Sequence, residues 1–268
     1  MTRSVTHQYA DLLRKRVGEL PADPTVEEMN EVLRLLGRWR SRVLANTYLK
    51  HDGAVVRGGP FAGMRYVETA TEGALVPRLL GTYESELHPY LTALARAGIT
   101  DVIDVGCAEG YYAVGLARLM PQAIIHAHDI DEAARQACVE LAAMNGVTER
   151  LRVGGAFAPE DFQAFAGRQV LVMVDAEGAE MDVLRPDLAP ALGAMTIIVE
   201  THDLYRKRAL ATLVERFSPT HQITLVRQQS KVTDLPEWLH AQPHLDQLLA
   251  VWEWRQAPTP WLVMRPKA

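Results

Sequence analysis

The residues best suited to chemistry fall into four short stretches. The first is Asp104-Val105-Gly106-Cys107-Ala108-Glu109-Gly110, in which small residues alternate at 106, 108 and 110. Small side chains in such a turn let the backbone approach a ligand closely. The second is Asp129, followed by Ile130 and Asp131; it lies 129 − 110 = 19 positions after Gly110. An acid at that spacing suits the end of the next strand, where it accepts two hydrogen bonds from a ribose diol. The third is Asp175-Ala176-Glu177-Gly178-Ala179-Glu180 and the fourth Glu200-Thr201-His202-Asp203. Carboxylates beside an imidazole suit proton transfer, and they also suit a hard divalent cation.

The turn itself narrows the choice of nucleotide. A dinucleotide fingerprint started at Gly106 needs its third small residue at position 111, which is Tyr. Glu109 adds an anion where a pyrophosphate would sit. A cationic nucleoside without phosphate fits better, and S-adenosylmethionine (SAM) is such a ligand: sulfonium, amino-acid tail, ribose and adenine.

The elements that position these groups alternate. Val102–Val105 is a β-branched run suited to a buried strand, with Asp104 inside it. The spacing of Tyr112, Leu116 and Met120 predicts a helix after the turn. Strands are expected over 123–128, 151–153, 170–174, 195–199, 222–227 and 261–264, with helices between them. Asp131 is placed to cap one helix and Asn145-Gly146 to end it. The segment 204–217 reads as one helix and 234–256 as an inserted helical segment. The third and fourth chemical stretches fall at carboxyl ends of strands, the edge where open α/β sheets bind ligands. The fold expected is α/β, a Rossmann-like doubly wound sheet with an N-terminal helical extension.

The lead-in divides into two parts. Residues 1–55 read as a helical extension or cap: one helix over 4–19, then a second with Thr25 and Glu28 in a capping box. Arg34, Arg38, Arg40 and Arg42 on the second helix read as a solvated face. Residues 56–99 form a linker and lead-in helices, interrupted near Gly81 and Pro89, and 100–268 the nucleoside-binding domain. The extension is expected to cover the pocket mouth or to form a homodimer contact.

Composition restricts the classes. The chain has 268 residues, 48% hydrophobic and 23% charged, with a net charge of −5, so no overall basic field favours nucleic acid. Its two cysteines are too few for a disulfide framework or a zinc site and point to a reducing compartment. Met1-Thr2-Arg3-Ser4 opens no apolar signal-peptide core, and no stretch approaches ~18 apolar residues, so a cytoplasmic protein without membrane contact is expected.

Four motifs together resemble class I SAM-dependent methyltransferases, in particular the FkbM-like group. Asp104 to Tyr112 resembles the group's first motif, although Cys107-Ala108-Glu109 departs from its usual residues. Val174-Asp175-Ala176-Glu177-Gly178-Ala179-Glu180, with Val183-Leu184, is similar to its D-x-E-G-x-E-x-x-V-L signature. Ile198-Val199-Glu200-Thr201-His202 is similar to its V-E-x-H strand end, and Leu80-Gly81-Thr82-Tyr83-Glu84 to the Y-E segment upstream. The resemblance covers roughly residues 80–203. It implies a seven-stranded sheet with an antiparallel last strand, and O-methylation of a small-molecule acceptor. It further implies that Glu84 and Asp104 serve the methionine amine. Gly106, Ala108 and Gly110 would serve the methionine tail, Asp129 with Ile130 the ribose, and Ala156 the adenine edge. Asp175 would face the transferable methyl, and Glu200 and His202 would orient and deprotonate the acceptor, with Glu200 holding the histidine tautomer. Related sugar O-methyltransferases suggest Mg²⁺ or Mn²⁺ held by Asp175, Glu200, His202 and Asp203. Two other readings stand beside this one: a SAM-using enzyme that cleaves or cyclises the methionine chain, and a non-catalytic SAM-binding protein. The released product, S-adenosylhomocysteine or methylthioadenosine, separates the enzymatic pair.

Overall fold

The computed structural model describes residues 4–68, 74–231 and 233–267. Met1 to Arg3, part of the stretch in which a signal peptide was sought, lie outside the described residues. Helices α1 (Val5–Gly18) and α2 (Val26–Asp52) lead, followed by the short α3 (Leu75–Leu80) and α4 (His88–Leu94). The alternating region then runs β1 (Asp101–Val105), α5 (Tyr111–Leu119), β2 (Ile124–His128), α6 (Glu132–Met144) and β3 (Leu151–Gly154). It continues through β4 (Val170–Val174), α7 (Glu180–Val183), β5 (Thr196–Glu200), α8 (Ala209–Phe217) and β6 (His221–Val226). Two short helices, α9 (Glu237–His240) and α10 (His244–Ala250), precede β7 (Trp261–Pro266).

The seven strands form one sheet in the order β3-β2-β1-β4-β5-β7-β6, with β7 antiparallel to both its neighbours. This is the expected seven-stranded α/β sheet with an antiparallel last strand. Strand order reverses between β1 and β4, so their carboxyl ends open a crevice for a ligand. β1 and β4 are buried along their whole length, as their apolar runs require in a parallel sheet covered on both faces. Asp101, at the opposite end of β1, is satisfied by Arg168 at 3.0 Å and His126 at 3.1 Å.

Local signals are met where local chemistry decides. Thr25 and Glu28 form the capping box, and Asp131 accepts a bond from the Ala133 amide at 2.9 Å. Pro89 stands in the first turn of α4, where its missing N–H costs nothing, and does not break a longer helix. The helix expected over 204–217 begins only at Ala209. Residues 203–208 have other partners: Tyr205 stacks on His202, Arg206 pairs with Asp182, and Arg208 adopts a left-handed φ of 67°. The inserted segment is helical only in α9 and α10.

The extension is joined to the main body. α1 buries no side chain, but the second half of α2 places Leu44, Ala45 and Tyr48 in the main core. Arg40 on α2 bonds Asp246 on α10, and Trp238 donates to Asp52 at 2.8 Å. Among the described residues, no helix is long and apolar enough to cross a membrane.

Candidate active site

A cavity of about 350 Å³ lies at the carboxyl ends of β1, β2 and β4. Asp104, Gly106, Ala108, Asp129, Ile130, Ala156 and Asp175 line it, seven of the residues singled out from sequence. Gly110 and Glu84 do not line it. Gly110 adopts φ +95° and backs onto α6, where an added Cβ would stand 2.7 Å from the Cys138 sulfur. It therefore serves the turn and its packing.

The turn is built from unusual backbone. Gly106 has φ +87° and Ala108 φ 45°, a left-handed conformation that costs a non-glycine residue roughly 1–3 kcal/mol. The Ala108 amide donates to Asp129 Oδ2 at 2.9 Å, and the Asp131 amide to Asp129 Oδ1 at 2.9 Å. Asp129 thus ties the two loops together and presents its remaining lone pairs at the cavity wall. Asp104 is 3% exposed, and its Oδ2 has no partner among the described residues. Burial, then the field of Asp129, pushes its carboxyl up to about 7 against a backbone hydrogen bond from Ala113. Beyond Asp129, His128 and Phe157 meet edge to face at 4.7 Å beside Ala156, an apolar slot for a flat ring.

Glu109 differs from its sequence reading. Its carboxylate accepts bonds from Arg78 and Tyr66, so its charge is paired and no longer argues against a phosphate. Arg78 was not anticipated, although one arginine in the apolar run Leu75-Val76-Pro77-Arg78-Leu79-Leu80 signals a buried partner. It lies over the Tyr83 ring at 4.6 Å, lines the cavity, and keeps its Nε unpartnered.

At the far wall Asp175 meets a second cluster. His202 Nε2 stands 3.7 Å from Asp175 Oδ1, from Glu200 Oε2 and from Glu177 Oε2. Its other nitrogen, Nδ1, is 2.6 Å from Glu180 Oε1. The tautomer is therefore held by Glu180, not by Glu200 as the resemblance implied. Glu180 is fully buried, and its Oε1 also accepts the Gly178 amide at 2.9 Å, so one carboxylate orders the loop and orients the ring. Burial opposes protonation of His202, but the Glu180 bond and the fields of Glu200, Glu180 and Glu177 outweigh it and raise the pKa above the ordinary histidine value.

Glu84 and Glu200 share a cation that sequence reading missed. Arg255 donates from Nη1 to Glu200 and from Nη2 to Glu84, while Tyr112 donates its hydroxyl to Glu84. Burial, then Glu200, pushes the Glu84 carboxyl up to about 8 despite Arg255 and Tyr112. Glu84 therefore supports Arg255 and Tyr112 from outside the cavity. Burial, then Glu200 and Glu84, also drives the Asp175 carboxyl well up. Ligand atoms of Asp175, Glu200 and His202 lie within 4.8 Å of one another. Asp203 stands apart and accepts the Leu210 amide at 3.1 Å, at the start of α8.

No family model matches the chain, and no curated protein does. Among solved structures it is similar to an O-methyltransferase from Bacillus cereus in complex with SAH, at 13% identity and a TM-score of 0.48, covering 66% of this chain and 79% of that one. It is similar to the O-methyltransferase TomG from Streptomyces achromogenes in complex with SAM, at 12% identity and a TM-score of 0.49, covering 86% and 99%. An rRNA methylase from Streptococcus thermophilus matches at 12% identity and a TM-score of 0.46, covering 68% and 97%.

Proposed function

We propose that this chain is a SAM-dependent methyltransferase that O-methylates a small molecule. The observation that carries the reading is the pair of acids flanking one strained turn. Asp104 has an unpartnered buried oxygen, Asp129 a carboxylate at the ribose position, and their shared cavity ends at Asp175. An ammonium or sulfonium answers the first, a diol the second. The unpartnered Arg78 Nε suits the methionine carboxylate, and the slot at Phe157 and Ala156 suits adenine. When bound, SAM supplies an electrophilic methyl. This chain's part is to align the acceptor, exclude water and take the hydroxyl proton at His202 Nε2. Calorimetry with SAM, S-adenosylhomocysteine and NAD tests the reading: the first two bind and NAD does not. Asp129→Ala weakens SAM by about 1.5–3 kcal/mol, the scale of hydrogen bonds to a charged group. Tight NAD binding without SAM heat overturns it. Release of methylthioadenosine in place of S-adenosylhomocysteine would favour methionine-chain cleavage.

Asp104 makes the binding pH-dependent. Its folded pKa of about 7 stands above the ordinary 3.8, so the ligand-free fold holds a proton there that the unfolded chain releases. That contribution to stability is complete below about pH 4 and is lost as pH rises through about 7. A cation beside Asp104 favours the ionised form. SAM binding at pH 6 should therefore release close to one proton, and affinity should rise up to neutrality. Calorimetry in buffers of different ionisation enthalpy reads this directly; an unchanged heat across buffers would refute it, and Asp104→Asn should abolish the effect.

The FkbM-like reading draws support from the signature's parts. Glu180 orients His202, and Gly178 takes φ +104° in the same loop. A cytoplasmic enzyme without nucleic-acid partners remains our reading of charge and cysteine content. A homodimer through α1 and α2 accords with Leu12, Val17, Val26, Met29, Leu33 and Leu36, all exposed there.

A second reading adds a divalent cation, and one observation favours it. Asp175 Oδ1 is buried without a partner and faces His202 Nε2 and Glu200. Two carboxylates and an imidazole suit Mg²⁺ or Mn²⁺, which would orient acceptor oxygens. Chelator should then abolish turnover and either ion restore it, with Asp175→Asn no longer rescued. Full activity after exhaustive chelation removes the ion from the reading.

A further inference from the structure

A second cavity, of about 560 Å³, lies between α2 and residues 249–256 and shares no lining residue with the nucleoside cavity. One wall carries Arg34, Arg38 and Arg42, one helical turn apart on α2. Arg34 is paired with Glu27. The guanidinium groups of exposed Arg38 and half-buried Arg42 have no hydrogen bond or ion pair to any other described residue. Between them, Ser41 is 9% exposed and its hydroxyl has no partner. The opposite wall carries Trp252 and Trp254, stacked at 4.0 Å and 26°. Gly37 makes room for them, since an added Cβ would lie 2.9 Å from the Trp252 ring and 3.2 Å from the Trp254 ring.

The chemistry of these walls is specific. A partly desolvated guanidinium without a counter-charge favours an anion, and its planar donor fork matches a carboxylate. The hydroxyl beside it offers one more donor. Stacked indoles offer a flat apolar face. Arg255 also lines this cavity, but its guanidinium is held by Glu84 and Glu200. It therefore links the cavity to the His202 cluster and leaves the anion to Arg38 and Arg42.

We propose that this cavity binds a planar aromatic carboxylate, with Arg38, Arg42 and Ser41 on the anion and the Trp252–Trp254 pair against the ring.

The test is calorimetry on the full chain saturated with S-adenosylhomocysteine, using 4-hydroxycinnamate and its neutral alcohol analogue as probes. The acid should bind and the alcohol should bind at least roughly tenfold more weakly, the loss of one charge-assisted bond. Arg42→Gln should raise the acid's Kd about 10- to 150-fold and exposed Arg38→Gln about 2- to 5-fold, with S-adenosylhomocysteine affinity unchanged. Equal binding of acid and alcohol, unmoved Kd values in both variants, or no acid heat at millimolar concentration would each overturn the site. If S-adenosylhomocysteine itself does not bind, the methyl-transfer reading falls, while the acid's heat still decides the cavity.

Discussion

His202→Ala should lower turnover about 10²- to 10⁴-fold, the usual contribution of a positioned general base, and leave SAM affinity nearly unchanged. Three features of the site set that expectation. Nε2 faces Asp175 and Glu177, which both line the cavity at the strand ends. Nδ1 is engaged by Glu180, so Nε2 is the nitrogen left to accept a proton. The ring is 4% exposed and stacks on Tyr205 at 5.7 Å, so it has little room to reorient. Removing it leaves Glu180 buried beside an empty space, and part of any loss will come through stability. His202→Asn separates the two effects, because its amide falls where Nδ1 stood and keeps a donor for Glu180 but cannot act as a base. A structural histidine predicts that His202→Asn keeps most of its turnover per folded molecule. A base predicts the full loss in both variants, with the melting temperature lowered mainly in the alanine. Glu180→Gln should fall between the parent and these variants, since a neutral partner holds the ring but no longer stabilises the imidazolium.

The second large effect is expected at Gly106→Ala. The added methyl would stand 1.8 Å from the Asp175 carbonyl oxygen, and that oxygen is backbone. The residue also holds φ +87°, where alanine is strained whatever the space. Strain and overpacking together should destabilise the fold by about 2–5 kcal/mol. The clash has a functional consequence beyond stability. The Asp175 amide donates to the Val105 carbonyl at 2.9 Å, so the turn and the Asp175 strand end are joined through backbone. Displacing Gly106 must displace Asp175, and turnover should fall even at temperatures where the variant is folded. Gly155→Ala is the matched control. It lines the same cavity, but nothing lies within 4 Å of its added methyl, and denaturant unfolding should place it within about 0.5 kcal/mol of the parent. Equal stability of the two variants would refute the steric account.

Much of this protein is legible without the fold, and the legible part is local. Alternating strand and helix patterns, the capping box at Thr25, the Asp131 cap and the spacing from Gly110 to Asp129 involve neighbours or one βα unit. Hydrophobic period and capping chemistry act over a few residues, so the seven strands and their approximate limits follow from them. The identity of each charge's partner does not. The resemblance pairs Glu200 with His202, yet β5 ends at Glu200 and Glu180 takes the ring nitrogen. Arg255 reaches Glu200 across 55 positions and Glu84 across 171. Glu109, read as a free anion in the turn, is neutralised by Arg78 from 31 positions upstream. The arginines of α2 read as a solvated face, but Arg34, Arg38 and Arg42 line a cavity closed by two tryptophans more than 200 positions away. A buried charge must find a counter-charge wherever the packed chain supplies one. That choice is made by loop paths and helix docking, which have no period to read, so only the tertiary structure decides which acids are free to act.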